Sequence, residues 1–170
     1  MRRRSFLRAG ARSVVWVVTA AALGGVVGGR DAAADPAPNH VEISVIHALR
    51  GDSGAVSMDP QLRSLPQLTR EQPFVRYSVF KLLDRRKFPL ERGKPLAYGI
   101  VDGRTLQVTL LDVTSSNAGP RYHVRAEIAG AGKREFLKLL EVTAAPNEPF
   151  FVGGQSYAGG TLFLELAVGP

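Results

Sequence analysis

The chain has 170 residues, a formal net charge of +7 and no cysteine. That length suits one domain, and the missing thiols exclude disulfides, thiolate catalysis, cysteine-ligated zinc, iron–sulfur clusters and a lipidated N-terminal cysteine. The charge is no nucleic-acid signature: six of the 22 Lys and Arg and one of the 15 Asp and Glu precede residue 35, leaving 16 against 14, or +2.

Arg3-Arg4-Ser5-Phe6-Leu7-Arg8 resembles the twin-arginine export signal. Arg3, Arg4, Phe6 and Leu7 carry the resemblance, and Arg8 keeps the charge of the usual lysine. The apolar run from Val14 to Val27 is shorter than the roughly 20 residues of a spanning helix and is diluted by Ala and Gly. Ala32, Ala33 and Ala34 supply the small residues of a signal-peptidase site, with cleavage expected between Ala34 and Asp35. An ordinary n-region on the general export route is the alternative. The expected organisation is a signal peptide over 1–34, a flexible lead-in over 35–39 and a single β-rich domain over 40–170. The resemblance implies transport of a folded protein, a periplasmic or secreted location, and membrane contact only transiently through the signal peptide.

Val41 to Ala48 alternates as a first strand, with Val41, Ile43, Val45 and His47 on one face. Leu49 to Met58 reads as a loop. It contains Arg50-Gly51-Asp52 and Gly51-Asp52-Ser53-Gly54, short matches to an adhesion tripeptide and to the surroundings of a protease serine, which we read as a turn. Asp59-Pro60 predicts a short helix, with an oxygen to cap the free N–H groups and a ring suited to the first turn. Leu62, Leu65 and Leu68 would line its buried side, and Pro66 limits it to two turns.

Phe74 to Leu83 is apolar enough for a long strand, and its change of face midway predicts a bulge or burial on both sides. Asp84 to Lys94 follows as the densest basic segment outside the leader. Arg85, Arg86, Lys87 and Arg92 are its candidate contacts to an anionic surface; a charged strand edge or solvated hairpin end is the favoured reading, since Asp84 and Glu91 lie within the segment. Asp102-Gly103 between two apolar runs predicts a hairpin. Arg121 to Ile128 alternates cleanly, with Tyr122, Val124, Ala126 and Ile128 inward and His123, Arg125 and Glu127 outward. Phe136 to Val142 is a further strand. The closing stretch, Phe150 to Val168, reads as a short strand, a glycine-bracketed return and a long strand with Leu162, Leu164, Leu166 and Val168 on one face. This pattern predicts an all-β fold: an antiparallel β-sandwich or partly open barrel of seven to eight strands with one short helix.

The early strand, the Asp59-Pro60 turn, Tyr77-Ser-Val-Phe-Lys-Leu-Leu83, Asp102-Gly-Arg-Thr-Leu106 and the ending Val152-Gly-Gly…Tyr157…Gly-Gly-Thr-Leu162 carry a second resemblance. The domain is similar to a group of small exported bacterial β-domain proteins with no settled activity. The shared motifs are turns and core strands, so the resemblance implies a fold and no site.

Catalysis needs groups that converge. His40, His47 and His123 form no close pair in sequence, no Gly-x-Ser-x-Gly occurs, and carboxylates such as Glu127 and Glu141 arise from sheet alternation alone. No catalytic residue, metal ligand or cofactor is assigned. The sequence leads us to expect an exported non-enzymatic cell-envelope module that binds a protein, a glycan or itself, with no nucleic-acid partner. The alternative is a small periplasmic hydrolase or metal-dependent enzyme, which requires His47 or His123 to meet a carboxylate in a concave pocket.

Overall fold

A computed structural model describes residues 38–51 and 55–170. Nine strands form two sheets: β1 (His40–Leu49), β2 (Ser57–Met58), β3 (Val79–Pro89), β4 (Pro95–Gly99), β5 (Thr105–Ser116), β6 (Gly119–Ala129), β7 (Phe136–Ala144), β8 (Phe150–Tyr157) and β9 (Gly160–Gly169). The first sheet has the order β2-β3-β1-β9-β8, the second β4-β5-β6-β7. The sheets stay separate, so the fold is a sandwich and not a barrel. The pairings between these strands are antiparallel except the two-residue contact of β2 with β3, and an isolated bridge, Arg92↔Leu110, is also parallel. Asp35–Pro170 is one compact unit, and both hydrophobic cores lie within it.

The two ends of that unit meet in its middle. β1 pairs with β9 from His40↔Gly169 to Ala48↔Thr161. The alternation predicted for the closing strand is observed: Leu162, Leu164, Leu166 and Val168 are buried between the sheets. There they meet Val41, Ile43 and Val45 of β1 and Leu106, Val108, Leu110, Val124 and Ala126 of the second sheet.

A second core lies on the other face of the first sheet. Ile46, Ala48, Phe80 and Phe163 turn outward there and are covered by Leu62, Leu65, Leu68 and Phe74 from the segment between β2 and β3. That segment corrects two expectations. The predicted helix is broken: Asp59 accepts from the Gln61 N–H at 2.9 Å and starts a 3-10 turn, Pro60–Leu62. The one α-helical piece among the described residues, α1 (Gln67–Arg70), begins after Pro66, whose ring suits a helix start. The predicted strand from Phe74 is also wrong at its start. Phe74–Arg76 is a 3-10 turn that inserts Phe74 into the second core, and β3 begins at Val79. The predicted bulge is present at Leu83, where Val45↔Asp84 gives way to Ile46↔Leu82.

Hairpin chemistry follows the sequence. The Asp102 carboxylate accepts from the Arg104 N–H at 3.0 Å, and Gly103 takes φ +82°. Ala158 (φ 41°) and Gly159 (φ 75°) form the return between β8 and β9, both in the left-handed region that two-residue hairpins require.

Candidate binding surfaces

The export residues Arg3, Arg4, Phe6 and Leu7, and the cleavage residues Ala32, Ala34 and Asp35, lie outside the described residues, as do Asp52 and Ser53.

The four candidate anion-binding cations do not converge. Arg85, Arg86 and Lys87 lie in β3, which is the edge of the first sheet beyond its short pairing with β2. Successive strand residues point to opposite faces. Arg85 sits on the outer face with its Nε 3.0 Å from Ser44 Oγ and 3.5 Å from Glu42 Oε1, and its Nη2 donates to the Gln61 carbonyl at 3.3 Å. Arg86 lies on the other face, 3.0 Å from Asp84 Oδ2. Arg92 pairs with Asp112 at 3.1 Å. Lys87 is exposed beside His40 and Phe88. Arg85, Arg86 and Arg92 thus each meet a carboxylate, and Arg85, Arg86 and Lys87 give β3 a charged edge.

The histidines are separated. His47 lies at the inner face of β1 near its end; its Nε2 is 3.1 Å from the Tyr157 carbonyl oxygen and its ring meets the Tyr157 ring edge-on at 5.3 Å. His40 is held below its ordinary pKa by burial and then by Lys87. His123 does meet an acid, Glu141, at 3.0 Å. The pair stands on the outer face of the second sheet with side chains 40% and 26% exposed, not in a concave pocket. Glu141 also receives Arg125 at 3.0 Å and Lys138 at 2.9 Å. Hydrogen bonds from Lys138 and then Arg125 pull its carboxyl down to about 2. Glu127 stands opposite Lys138 and accepts from Gln107 at 3.2 Å. Among the described residues no group of three or more His, Cys, Asp and Glu is arranged to hold a metal ion.

Two features had not been singled out from sequence. The first is β8. Among the described residues it pairs only with β9, which leaves its outer edge without a strand partner there. Phe150–Tyr157 carries no charged side chain. The other edges are guarded: β3 by Lys81, Arg85 and Lys87, β7 by Lys138 and Glu141, and β4 by Pro95 and its five-residue length. Beside β8 lies a groove of about 190 Å³ lined by Pro73, Phe74, Arg76, Phe151, Gly153 and Phe163. Phe74 meets Phe151 and Phe163 edge-on at 4.8 Å each. Phe163 lies over Gly153 so closely that a Cβ there would be 2.0 Å from its ring.

The second is Glu165. It faces outward from β9, yet is only 4% exposed. Its Oε2 has no hydrogen-bond partner among the described residues. Burial raises its pKa; the neighbouring Ser44 hydroxyl and Arg85 pull it partly back, and Glu42 pushes it up again. A sequence signal existed: Phe163 and Ala167 share its face and are apolar, which marks that face as covered. Comparison with protein-family models, curated proteins and solved structures finds no match. The fold and surfaces define a class, an all-β two-sheet sandwich with a helical cover on one face and an uncharged edge strand that is interrupted by a bulge at Gly154.

Proposed function

We propose that the chain is an exported, non-enzymatic cell-envelope module, periplasmic or secreted, that binds a protein, a glycan or another copy of itself. The export motif at Arg3 and Arg4 supports the location. The observation that carries the binding role is β8: eight residues of edge strand without a charge, next to an aromatic groove. An open edge offers unpaired N–H and C=O groups to an incoming strand, and neighbouring apolar pockets select its side chains. Of the three ligand types, an extended protein segment, foreign or from a second copy, fits this geometry best.

The test compares wild-type Asp35–Pro170 with a Gln155→Lys/Ser156→Lys variant that places two charges on β8. Sedimentation velocity reads self-association, and capture from native envelope fractions reads a partner. The expected result is an oligomer or a reproducible partner with the wild type and its loss with the variant. A wild type that stays monomeric without a partner, or a partner retained by the variant, rejects the β8 role.

A further inference from the structure

Glu165 forms part of a cleft of about 270 Å³, lined also by His40, Glu42, Ser64, Leu65, Asn147, Pro149 and Ala167. Burying a carboxyl with one oxygen unpartnered is costly, and native structures normally satisfy such groups. The adjacent cation does not satisfy it. Arg85 directs Nε to Ser44 and Glu42 and Nη2 to the Gln61 carbonyl. The charged groups here are Glu42 and Glu165, the engaged Arg85, and Lys87, which stands opposite Glu42 in the β1–β3 register, so ionised Glu165 keeps one oxygen without a counter-ion of its own. His40 adds no competing positive charge at neutral pH, because burial and Lys87 keep it below its ordinary pKa.

The cleft wall is also built. Asn147 takes a left-handed conformation (φ 57°) and donates its N–H to the Val168 carbonyl at 2.7 Å. Its side chain lies against Gly169, where a Cβ would be 2.4 Å from Oδ1. Three kinds of polar side chain line one small space: the Glu165 carboxylate with Glu42, the Asn147 amide and the Ser64 hydroxyl. A buried carboxylate oxygen without a partner, with further acceptors beside it, suits a compact cation with three N–H donors.

We propose that this cleft binds a primary ammonium group, held by Glu165 with Glu42, Asn147 and Ser64 around it. The volume fits one amino-sugar ring or one lysine side chain, not an extended chain. The site faces away from the inter-sheet core and does not depend on the β8 edge, so either proposal stands or falls alone.

The experiment is an NMR titration of isotope-labelled Asp35–Pro170 at fixed ionic strength. The probes are methylammonium, glucosamine and N-acetyl-lysine amide, with sodium and glucose as controls. The ammonium probes should produce saturable shifts at Ser44, Asn147 and Glu165, and sodium and glucose should not. Binding should weaken at least about tenfold in Glu165→Gln, since a charge-assisted contact is lost. Glu42→Gln, at a more exposed position, should weaken it less, and it serves if the Glu165 variant fails to fold. Glu127→Gln, on the other sheet, should leave binding unchanged. The tighter of glucosamine and the lysine amide identifies the source of the ammonium group. Saturable binding of glucose equal to glucosamine, absence of any saturable shift, or undiminished binding by the variants that fold would overturn the proposal.

Discussion

The Tyr98 hydroxyl donates to Asp84 Oδ2 at 2.7 Å and so ties the edge of one sheet to the edge of the other. Tyr98 is buried, its ring lies 5.7 Å from that of Phe88, and Arg86 joins the same carboxylate at 3.0 Å. The hydrogen bond from Tyr98, the largest contribution, holds Asp84 below its ordinary pKa, and Arg86 adds to this. Burial and then Asp84 raise the Tyr98 pKa.

Tyr98→Phe should therefore cost about 1.5–3 kcal/mol, the range for a hydrogen bond to a charged group. The sign of the pH dependence follows from the depressed acid. The Asp84 contribution is fully present above the ordinary aspartate value of about 4 and is lost as pH falls through its lowered value. The raised Tyr98 works at the other end: its part is present below about 10 and is lost as pH rises further. Chemical denaturation across pH should show wild type and Tyr98→Phe converging in strong acid. A constant gap into strong acid would contradict this.

Gly153→Ala and Gly160→Ala should both destabilise, by about 1–3 kcal/mol as over-packing does. A Cβ at Gly153 meets the Phe163 ring at 2.0 Å, and one at Gly160 meets the Ala48 carbonyl oxygen at 2.4 Å and His47 Nε2 at 2.6 Å. Gly99→Ala is the contrast. Its Cβ would find nothing within 4 Å, so its effect should stay within about 0.5 kcal/mol. Melting curves of the three variants check the ranking.

Glu141 should titrate near 2 in a carboxyl-detected NMR experiment. Its pairing is present above the ordinary value of about 4.3 and is lost as pH falls through about 2. Lys138→Met, removing the first contributor, should move that titration upward. An unmoved midpoint would mean that Lys138 is not the main partner.

Glu165 has the opposite sign. Its pKa is raised by burial, so the folded state holds a proton that the unfolded chain has released. Stability should fall as pH rises from about 4.3 through the raised value. Glu165→Gln should flatten that decline and be relatively more stable at neutral and alkaline pH. An unchanged pH slope in the variant would place Glu165 outside this effect.

The strands that form the inter-sheet core were legible because their period is unambiguous. Leu162 to Val168, Leu106 to Leu110 and Tyr122 to Ile128 alternate in sequence and in space. Asp102-Gly103 was legible because its turn depends on local backbone chemistry. The segment over Phe74–Arg76 was not, since its apolar residues serve a cover packed on a sheet, a long-range fact that strand propensity cannot register. Glu165 was missed although Phe163 and Ala167, apolar neighbours on its face, signal a cover: what provides that cover, Leu62, Leu65, Leu68 and Phe74, is a long-range fact. The open edge of β8 depends on strand order, which the residues of β8 do not encode.

The most direct measurement is hydrogen–deuterium exchange at the β8 amides, free and in the oligomer or captured complex. The account predicts that outward-facing N–H groups within Phe150–Tyr157 exchange readily when free and become protected on binding. Protection that appears elsewhere while β8 keeps exchanging would contradict edge-strand binding.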